Sequence, residues 1–342
     1  MTATDIHRFP IAGASAWTRA GIAADDGWIH VLTDAEIDDL DRALQGVRGW
    51  TGKLSDLSRS DFPLPVLAPR LAKLEDEVRT GRGFALLRGI PVERYNDDDV
   101  FLLKWGIGTH LGRAISQNTY GDMLGHVFDH GMGDLSAVRT RGYQTNAALD
   151  FHVDRADMTS LLCLRQGRTG GRSRIVSSIS VHNAILARHP EYLPTLYEGL
   201  PYIVVEAAGA IQTWNGPVFG VTDGVLSCSF RRNTIQKAID SPGVTLTPLK
   251  AAALACMDAT MNDPSLAFEM ELRPGDIQFV NNYTTMHGRT AFADGDDKGQ
   301  RRHLVRLWLK FLTPRPASDY IRDQYKGVEK KLEHNPTGWR TQ

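Results

Sequence analysis

A histidine and an aspartate two positions apart are the first residues of the chain that suggest metal chemistry. His152 and Asp154 lie in the segment FHVD at 151–154. Side chains two apart on a strand share a face, so an imidazole nitrogen and a carboxylate oxygen can reach one ion. Two histidines and one carboxylate on one side of an iron are the ligand set of non-heme Fe(II) oxygenases. A second histidine must therefore come from elsewhere in the chain.

His287 is the candidate for that second histidine. A PGD turn at 274–276 precedes a predicted strand over 277–280, and two asparagines at 281–282 end the strand. We expect these asparagines to shape the turn that aims His287. If the turn brings His287 to the HxD pair, the three side chains form one metal site.

Two arginines on one face of a later strand indicate a second ligand. Arg302 and Arg306 lie four positions apart in the segment RRHLVR at 301–306. Burying a guanidinium on a strand costs free energy unless it meets an anion, and its paired N–H groups match a carboxylate. 2-Oxoglutarate can chelate iron at one end and carries a carboxylate at the other. It would therefore satisfy both the metal and an arginine.

The order of these motifs resembles one family. HxD, GGxS, PGD, NN-x4-HGR and RRxxxR follow one another along the chain. In that order they resemble the TauD/TfdA branch of the Fe(II)/2-oxoglutarate-dependent dioxygenases, which includes the clavaminate-synthase-like enzymes. The resemblance spans about residues 84–312. It implies that His152, Asp154 and His287 are the iron ligands and the catalytic residues.

The resemblance also implies which residues bind the cosubstrate. Arg302 matches the arginine that pairs with the distal carboxylate of 2-oxoglutarate. Arg306 matches a second arginine near the other carboxylate. Ser173, in GGRS at 170–173, stands where the family often has a threonine whose hydroxyl binds 2-oxoglutarate.

The implied fold is α+β with a mostly β core, a distorted double-stranded β-helix (jelly roll, cupin-like) flanked by helices. The implied enzyme uses Fe(II), O2 and 2-oxoglutarate to oxidise an unactivated C–H bond of a small organic molecule, in secondary metabolism or catabolism. Hydroxylation with release of succinate and CO2 is the expected outcome. Halogenation is disfavoured because halogenases of this superfamily lack the carboxylate that Asp154 provides.

The patterns around these residues are compatible with such a core. A capping box at 33–36 begins one helix, and apolar spacing predicts helices over 66–78, 97–110, 181–188 and 247–261. Core strands are predicted over 84–90, 159–164, 173–177, 276–280 and 303–311, and hairpins at 215–217 and 223–224. We expect one domain over 1–342, with a helical N-terminal part (about 1–80) and a polar C-terminal tail (about 315–342).

Candidate substrate residues lie next to predicted core elements. Gln117 and Asn118 begin a long glycine-rich segment after the third helix, and such segments are often functional. Arg231 follows a core strand and could clamp an acidic group of the substrate. His126 and His130 have the spacing of a helical zinc site, but flanking glycines argue against a helix, so metal ligation is disfavoured and a loop near the substrate is an open alternative.

Bulk composition excludes some partners. The chain of 342 residues has 39 basic and 40 acidic residues. This balance leaves no excess of positive charge with which to bind nucleic acid or an anionic membrane. Three scattered cysteines predict reduced thiols, and neither a signal peptide nor a membrane-spanning run is visible. The expected partner is a small molecule, with or without an acidic group, in the cytoplasm; a homo-oligomer stays open.

Two other functions use the same residues. A zinc hydrolase or lyase could use the His/Asp/His set to activate a water molecule. A cupin-like binding protein could keep the fold without catalysis. Arg302 has no task in the zinc chemistry, and the complete set of ligands and arginines argues against the binding protein.

Overall fold

The computed structural model describes residues 6–131, 142–205, 211–297 and 300–333. Its α-helices are α1 (Arg19–Ala23), α2 (Asp34–Val47), α3 (Ala68–Arg79), α4 (Asp97–Thr109), α5 (Ser178–Arg188), α6 (Leu193–Glu198), α7 (Arg232–Ile239), α8 (Pro248–Met261) and α9 (Asp319–Gln324). Among the described residues, no helix is long and apolar enough to cross a membrane.

The strands in chain order are β1 (Ile29–Val31), β2 (Phe84–Arg88), β3 (Arg113–Ala114), β4 (Leu124–Val127), β5 (Leu149–His152), β6 (Met158–Arg165), β7 (Thr169–Gly170), β8 (Ser173–Ser177), β9 (Leu200–Val205), β10 (Ile211–Gly216), β11 (Phe219–Thr222), β12 (Val225–Cys228), β13 (Phe268–Met270), β14 (Ile277–Asn281), β15 (Thr285–Arg289), β16 (Phe292–Ala293) and β17 (His303–Lys310).

Two sheets form the β core. The larger has the order β1-β2-β14-β6-β17-β3, with β4 also paired to β17, and the smaller has the order β13-β8-β15-β5. Most pairs are antiparallel, and β1 pairs parallel to β2. Ser173 Oγ on β8 donates to Gln278 Oε1 on β14 at 2.8 Å, which joins the inner faces of the two sheets. The metal-binding candidates lie in the space between these faces.

Helices α3 and α4 cover the outer side of the larger sheet, and capping residues begin α2 and α4. Thr33 and Glu36 form the capping box that begins α2, and Asn96 caps α4 through the N–H of Asp99. Helix α4 packs on β17, and α3 packs on β2 and β14. These two helices pack against the sheet whose strand β17 leads from Arg302 and contains Arg306.

One predicted hairpin is wrong and the other is confirmed. At 215–217 the sequence predicts a turn between adjacent paired strands, but β10 pairs with β9, with Gly216 opposite Leu200. Pro217 has no N–H to donate, so this proline instead separates β10 from the next hairpin. That hairpin, β11–β12, turns at 223–224, where both residues have positive φ.

The last described segment packs on the core more closely than a polar surface tail would. Ile321 on α9 and Tyr325 are fully buried. Beyond them, the N–H of Val328 donates to Ser116 O at 2.9 Å, and that of Lys331 donates to Thr119 O at 2.7 Å. This segment therefore runs along the residues that lead to Gln117.

Candidate active site

The smaller sheet brings two histidines and an aspartate together. His287 on β15 pairs in register with His152 at the end of β5, and their ring centroids are 4.5 Å apart. Asp154 follows β5, with one carboxylate oxygen 3.6 Å from His287 Nε2 and the other 4.0 Å from His152 Nε2. One ligand atom from each residue lies within 4.8 Å of the other two. The spacing fits a single ion with two nitrogen donors and one oxygen donor.

The protonation of His152 suits metal binding. Its Nδ1 lies 2.8 Å from the carbonyl oxygen of Asp150, so Nδ1–H donates and Nε2 keeps its lone pair for a metal. Desolvation and the neighbouring His287 lower the pKa of His152 to about 4. The ring is therefore neutral at neutral pH, the form that binds a metal.

Asp154 is held as a carboxylate by several donors. Thr159 Oγ1 and Trp308 Nε1 each donate to its Oδ2 at 2.8 Å. Arg306 Nη1 lies 3.5 Å from Oδ1. Burial disfavours the charged form, but Arg306 and the neighbouring His287 keep the pKa of Asp154 well below its ordinary value. An ionised oxygen ligand is thus available at neutral pH.

The two asparagines after β14 do more than shape the turn before His287. Asn282 Oδ1 accepts the backbone N–H of Asp154 at 2.9 Å, and its Nδ2 donates to Ala156 O at 2.9 Å. Asn281 Nδ2 donates to Val78 O at 3.0 Å and so ties β14 to helix α3. Asn282 therefore fixes the backbone of the aspartate, a contact that the sequence did not reveal.

Arg306 lies beside the metal-binding candidates and is tightly packed. Its Nε donates to Gln117 Oε1 at 2.7 Å, and its guanidinium lies 5.0 Å from the Tyr143 ring centre and 4.7 Å from that of Trp308. The structure thus brings Gln117 to the site. Asn118 is turned away, because its side chain accepts the N–H of Tyr120 and donates to Asp122 within its own loop.

Arg302 is buried with unused hydrogen-bonding capacity. It is 6% exposed, its Nη2 lies 3.4 Å from Gly171 O, and its Nη1 has no hydrogen-bond partner among the described residues. Burial lowers the pKa of Arg302 to about 10, so it stays charged at neutral pH. A buried cation with an unpaired N–H is costly unless an anion binds it, and a carboxylate fits this need.

The glycine turn of GGRS makes room for this arginine. Gly171 has φ of +70°, and a Cβ there would lie 2.7 Å from Arg302 Nε. A larger residue would therefore be strained and would displace the guanidinium. The next residues lead into β8, where Ser173 is buried and bonded to Gln278.

A third buried arginine was not anticipated. Arg289 pairs in register with Ser173 and is 4% exposed. Its Nη2 donates to the carbonyls of Gly142 at 3.4 Å and Ala147 at 3.0 Å, which attaches the segment before β5 to β15. In the sequence, Arg289 is marked only by its place in the HGR motif. Residue spacing does not reveal that its side chain is buried inside the core.

Arg231 lies close to the site, but its guanidinium is engaged. Its backbone forms an isolated bridge with His152. Its Nη2 donates to Gln324 Oε1 at 2.9 Å, and the guanidinium lies 5.0 Å from the Tyr202 ring centre. To bind the substrate, this side chain would first have to break its hydrogen bond to Gln324 of helix α9.

His126 does not belong to the group of residues that could hold the metal. His126 lies on β4 opposite Val305, and its Nδ1 is 2.9 Å from Nε2 of His303. His303 precedes Leu304, so alternation directs it to the face opposite Arg302 and Arg306. The alternative of a loop near the substrate does not apply at His126, because strand β4 carries this histidine to the helix-covered side of the sheet.

Comparisons with known proteins agree with this geometry. Residues 48–308 match the family described as "Taurine catabolism dioxygenase TauD, TfdA family". FR-33289 synthase of Streptomyces rubellomurinus is 32% identical over 89% of this chain and 91% of its own. The taurine hydroxylase-like protein SAT17 of Stachybotrys chartarum is 28% identical over 85% of this chain and 77% of its own.

Solved structures show the same fold at lower identity. Asparagine oxygenase in complex with Fe(II), 3-hydroxyasparagine and succinate superposes with a TM-score of 0.64 at 19% identity, covering 82% of this chain and 93% of that one. The oxygenase OrfP with Fe and alpha-ketoglutaric acid gives 0.61 at 15% identity over 82% and 94%.

The chain belongs to the TauD/TfdA family of dioxygenases. The predicted family, the jelly-roll core flanked by helices and the class of enzyme are thereby confirmed. The metal triad and the ligands of the solved relatives agree with the predicted iron and 2-oxoglutarate.

Proposed function

We propose that the protein hydroxylates a C–H bond of a small acidic molecule, with Fe(II) bound by His152, Asp154 and His287 and with 2-oxoglutarate as cosubstrate. One observation supports this most: the triad shares the interior of the β core with Arg302, whose buried Nη1 has no hydrogen-bond partner in the part of the chain that the structure describes. A metal site alone would fit several chemistries. A metal site with a buried carboxylate receptor fits a chelating diacid.

The protein's own residues prepare this site in three ways. A neutral His152 and an ionised Asp154 offer the donor atoms without a proton having to leave at neutral pH. Trp308 and Thr159 fix the carboxylate so that its other oxygen faces Arg306. When bound, Fe(II) and 2-oxoglutarate supply the oxygen activation and are expected to leave succinate and CO2 as by-products.

For the cosubstrate, Arg302 binds the distal carboxylate and Ser173 adds a hydroxyl at the same end. Arg306 lies next to Asp154 and is placed for the carboxylate near the metal or for an anionic group of the substrate. Its contacts with the rings of Tyr143 and Trp308 limit the movement of the guanidinium.

An acidic substrate follows from the charges inside the core. Arg289, Arg302 and Arg306 are buried there, and Asp154 is the carboxylate that contacts Arg306. The relatives include a taurine hydroxylase-like protein and an oxygenase crystallised with hydroxyasparagine. Gln117 orients Arg306 for such a group, whereas Asn118 and Arg231 would reach the substrate only after loop movement.

A zinc hydrolase would use the same triad with a water molecule, and a cupin-like binding protein would use it without turnover. Neither explains a buried Arg302. The test is to load the purified protein with Fe(II) or Zn(II), add 2-oxoglutarate and O2, and screen acidic small molecules for succinate and oxidised product. Succinate that depends on Fe(II) supports the proposal, and turnover with Zn(II) in the absence of 2-oxoglutarate contradicts it.

Three further properties stay proposals. We propose that residues 1–342 form a single domain, because α3 and α4 pack directly on the sheet that carries Arg302. A cytoplasmic location follows from the scattered reduced cysteines. A homo-oligomer is testable by light scattering of the purified chain.

A further inference from the structure

A hydrogen bond between two buried polar side chains crosses the interior of the β core. Ser173 Oγ donates to Gln278 Oε1 at 2.8 Å. Gln278 is 1% exposed and Ser173 is 6% exposed. Because the two residues belong to different sheets, both side chains must point into the space between them. Gln278 has no role in the reaction proposed so far.

Gln278 lies in the same cross-strand row as the arginine beside the metal triad. It pairs with Leu161 on β6, and Leu161 pairs with Arg306 on β17. Residues that pair across antiparallel strands point to the same face. The amide of Gln278 therefore lies on the same inner face of the larger sheet as Arg306.

Ser173 lies between the metal triad and Arg302, the residue proposed to bind the distal carboxylate. On β8 it is two residues from Ile175, which pairs with His287, and two residues from Gly171, whose carbonyl lies 3.4 Å from Arg302 Nη2. Two residues span about 7 Å along a strand. A diacid that reaches from the metal towards Arg302 must therefore pass the Ser173 hydroxyl.

The proton of Ser173 is directed away from such a ligand. A serine hydroxyl has one proton, and a carboxylate can only accept. The proton is given to Gln278 Oε1, so it cannot also be donated to a carboxylate. The other end of the amide, Nε2, faces Met270 Sδ at 3.2 Å, and a thioether is a weak acceptor. Exchanging the two ends of the amide therefore gives up only a weak N–H···S contact on the donor side, and the buried Oε1 must lose its donor when the ligand binds.

We propose that Gln278 is a positioning residue for the cosubstrate. When 2-oxoglutarate binds, the amide turns over, Nε2–H donates to Ser173 Oγ, and the hydroxyl proton points to the distal carboxylate. Arg302 and Ser173 then bind that carboxylate together. This inference rests on the proposed function, and in particular on the assignment of Ser173 to 2-oxoglutarate.

The test is an anaerobic titration of the Fe(II)-loaded protein with two oxo acids, followed by absorbance in the visible range. Gln278→Leu should weaken 2-oxoglutarate up to about tenfold, because the Ser173 hydroxyl loses the amide donor that orients its proton towards the carboxylate. 2-Oxopentanoate has the same chelating end and no distal carboxylate. Its affinity should be the same in the wild type and in Gln278→Leu.

A double variant separates positioning from packing. Ser173→Ala should weaken 2-oxoglutarate at least as much as Gln278→Leu does, and the double variant should lose no more than Ser173→Ala alone, because Gln278 acts through the Ser173 hydroxyl. Ser173→Thr, which keeps the hydroxyl, should retain binding. If Gln278→Leu does not fold, Gln278→Met preserves the side-chain length for the same titration.

Two results would overturn the inference: unchanged 2-oxoglutarate affinity in the Gln278 variant, or an equal loss for both oxo acids, as a purely structural role predicts. A wild-type protein that binds no 2-oxoglutarate would contradict the proposed function instead, so the two failures are distinguishable.

Discussion

The indole N–H of Trp308 donates to Oδ2 of Asp154 at 2.8 Å, so the larger sheet holds the carboxylate that the smaller sheet presents beside its histidines. The tryptophan lies two residues after Arg306 on β17 and therefore on the same face. One strand thus fixes the metal-binding carboxylate and carries the arginine next to it.

Trp308→Phe should weaken Fe(II) binding about ten- to hundredfold, because Asp154 loses a donor that orients it. The measurement is Fe(II) affinity by competition with a coloured chelator. Trp105→Phe is the matched control, since Trp105 Nε1 donates to Leu57 O at 2.8 Å on the helical side of the fold. It should lower stability and leave Fe(II) affinity unchanged. Equal Fe(II) affinities in the two variants would refute the role of Trp308.

Asn282→Ala should reduce both Fe(II) affinity and stability, because Asp154 loses the acceptor for its backbone N–H. The loss of stability should be about 1–3 kcal/mol, the cost of leaving buried polar groups unpaired. Asn281→Ala provides the control, since Asn281 holds helix α3 instead. Chemical denaturation and metal titration of both variants should show similar destabilisation, with impaired metal binding in Asn282→Ala only.

Gly171→Ala should abolish 2-oxoglutarate binding and preserve Fe(II) binding, because the added Cβ would lie 2.7 Å from Arg302 Nε. Gly243→Ala is a fitting control: its φ is +80°, but nothing lies within 4 Å of the added atom. Both variants should carry a similar backbone strain of about 1–2 kcal/mol. If Gly243→Ala weakens the cosubstrate as much, strain rather than the clash with Arg302 is the cause.

The free energy of unfolding should fall as the pH decreases from 6.5 towards 4. His182 is fully buried, and burial lowers its pKa from 6.5 to about 4. In this window the unfolded chain binds a proton that the folded chain does not, so acid favours unfolding, by at most about 1.4 kcal/mol per pH unit for this histidine. His182→Leu should make the dependence, measured by denaturation at pH 7 and pH 5, less steep, and other histidines whose pKa is lowered, such as His152, keep part of it. A variant as pH-sensitive as the wild type would disprove this.

The sequence predicted the residues with local signals best. Thr33 and Asn96 are capping residues, and they predict the starts of helices α2 and α4. The spacing of Arg302 and Arg306 predicts strand β17. The pairing of His152 with His287 was a hypothesis from the residues, and the resemblance to a family strengthened it. Their contact depends on the register of β5 with β15, and no local pattern encodes that register.

Contacts between distant strands account for what was missed. Gln278 reads as one polar residue in an apolar strand, and only the packing of two sheets shows that it meets Ser173. Tyr143 lies in a segment without periodicity, yet its ring stacks on Arg306. The position of Trp308 on the inner face could have been predicted, because it lies two residues after Arg306 on the same strand.

The most direct test of the central claim is the visible absorbance of the protein with Fe(II) and 2-oxoglutarate under anaerobic conditions. The wild type should show a weak metal-to-ligand charge-transfer band. His152→Ala should lose the band through the metal, and Arg302→Ala should require about a hundredfold more 2-oxoglutarate or fail to show it. A wild type without the band, or a band that survives in both variants at wild-type concentrations, would contradict a site that holds iron and 2-oxoglutarate together.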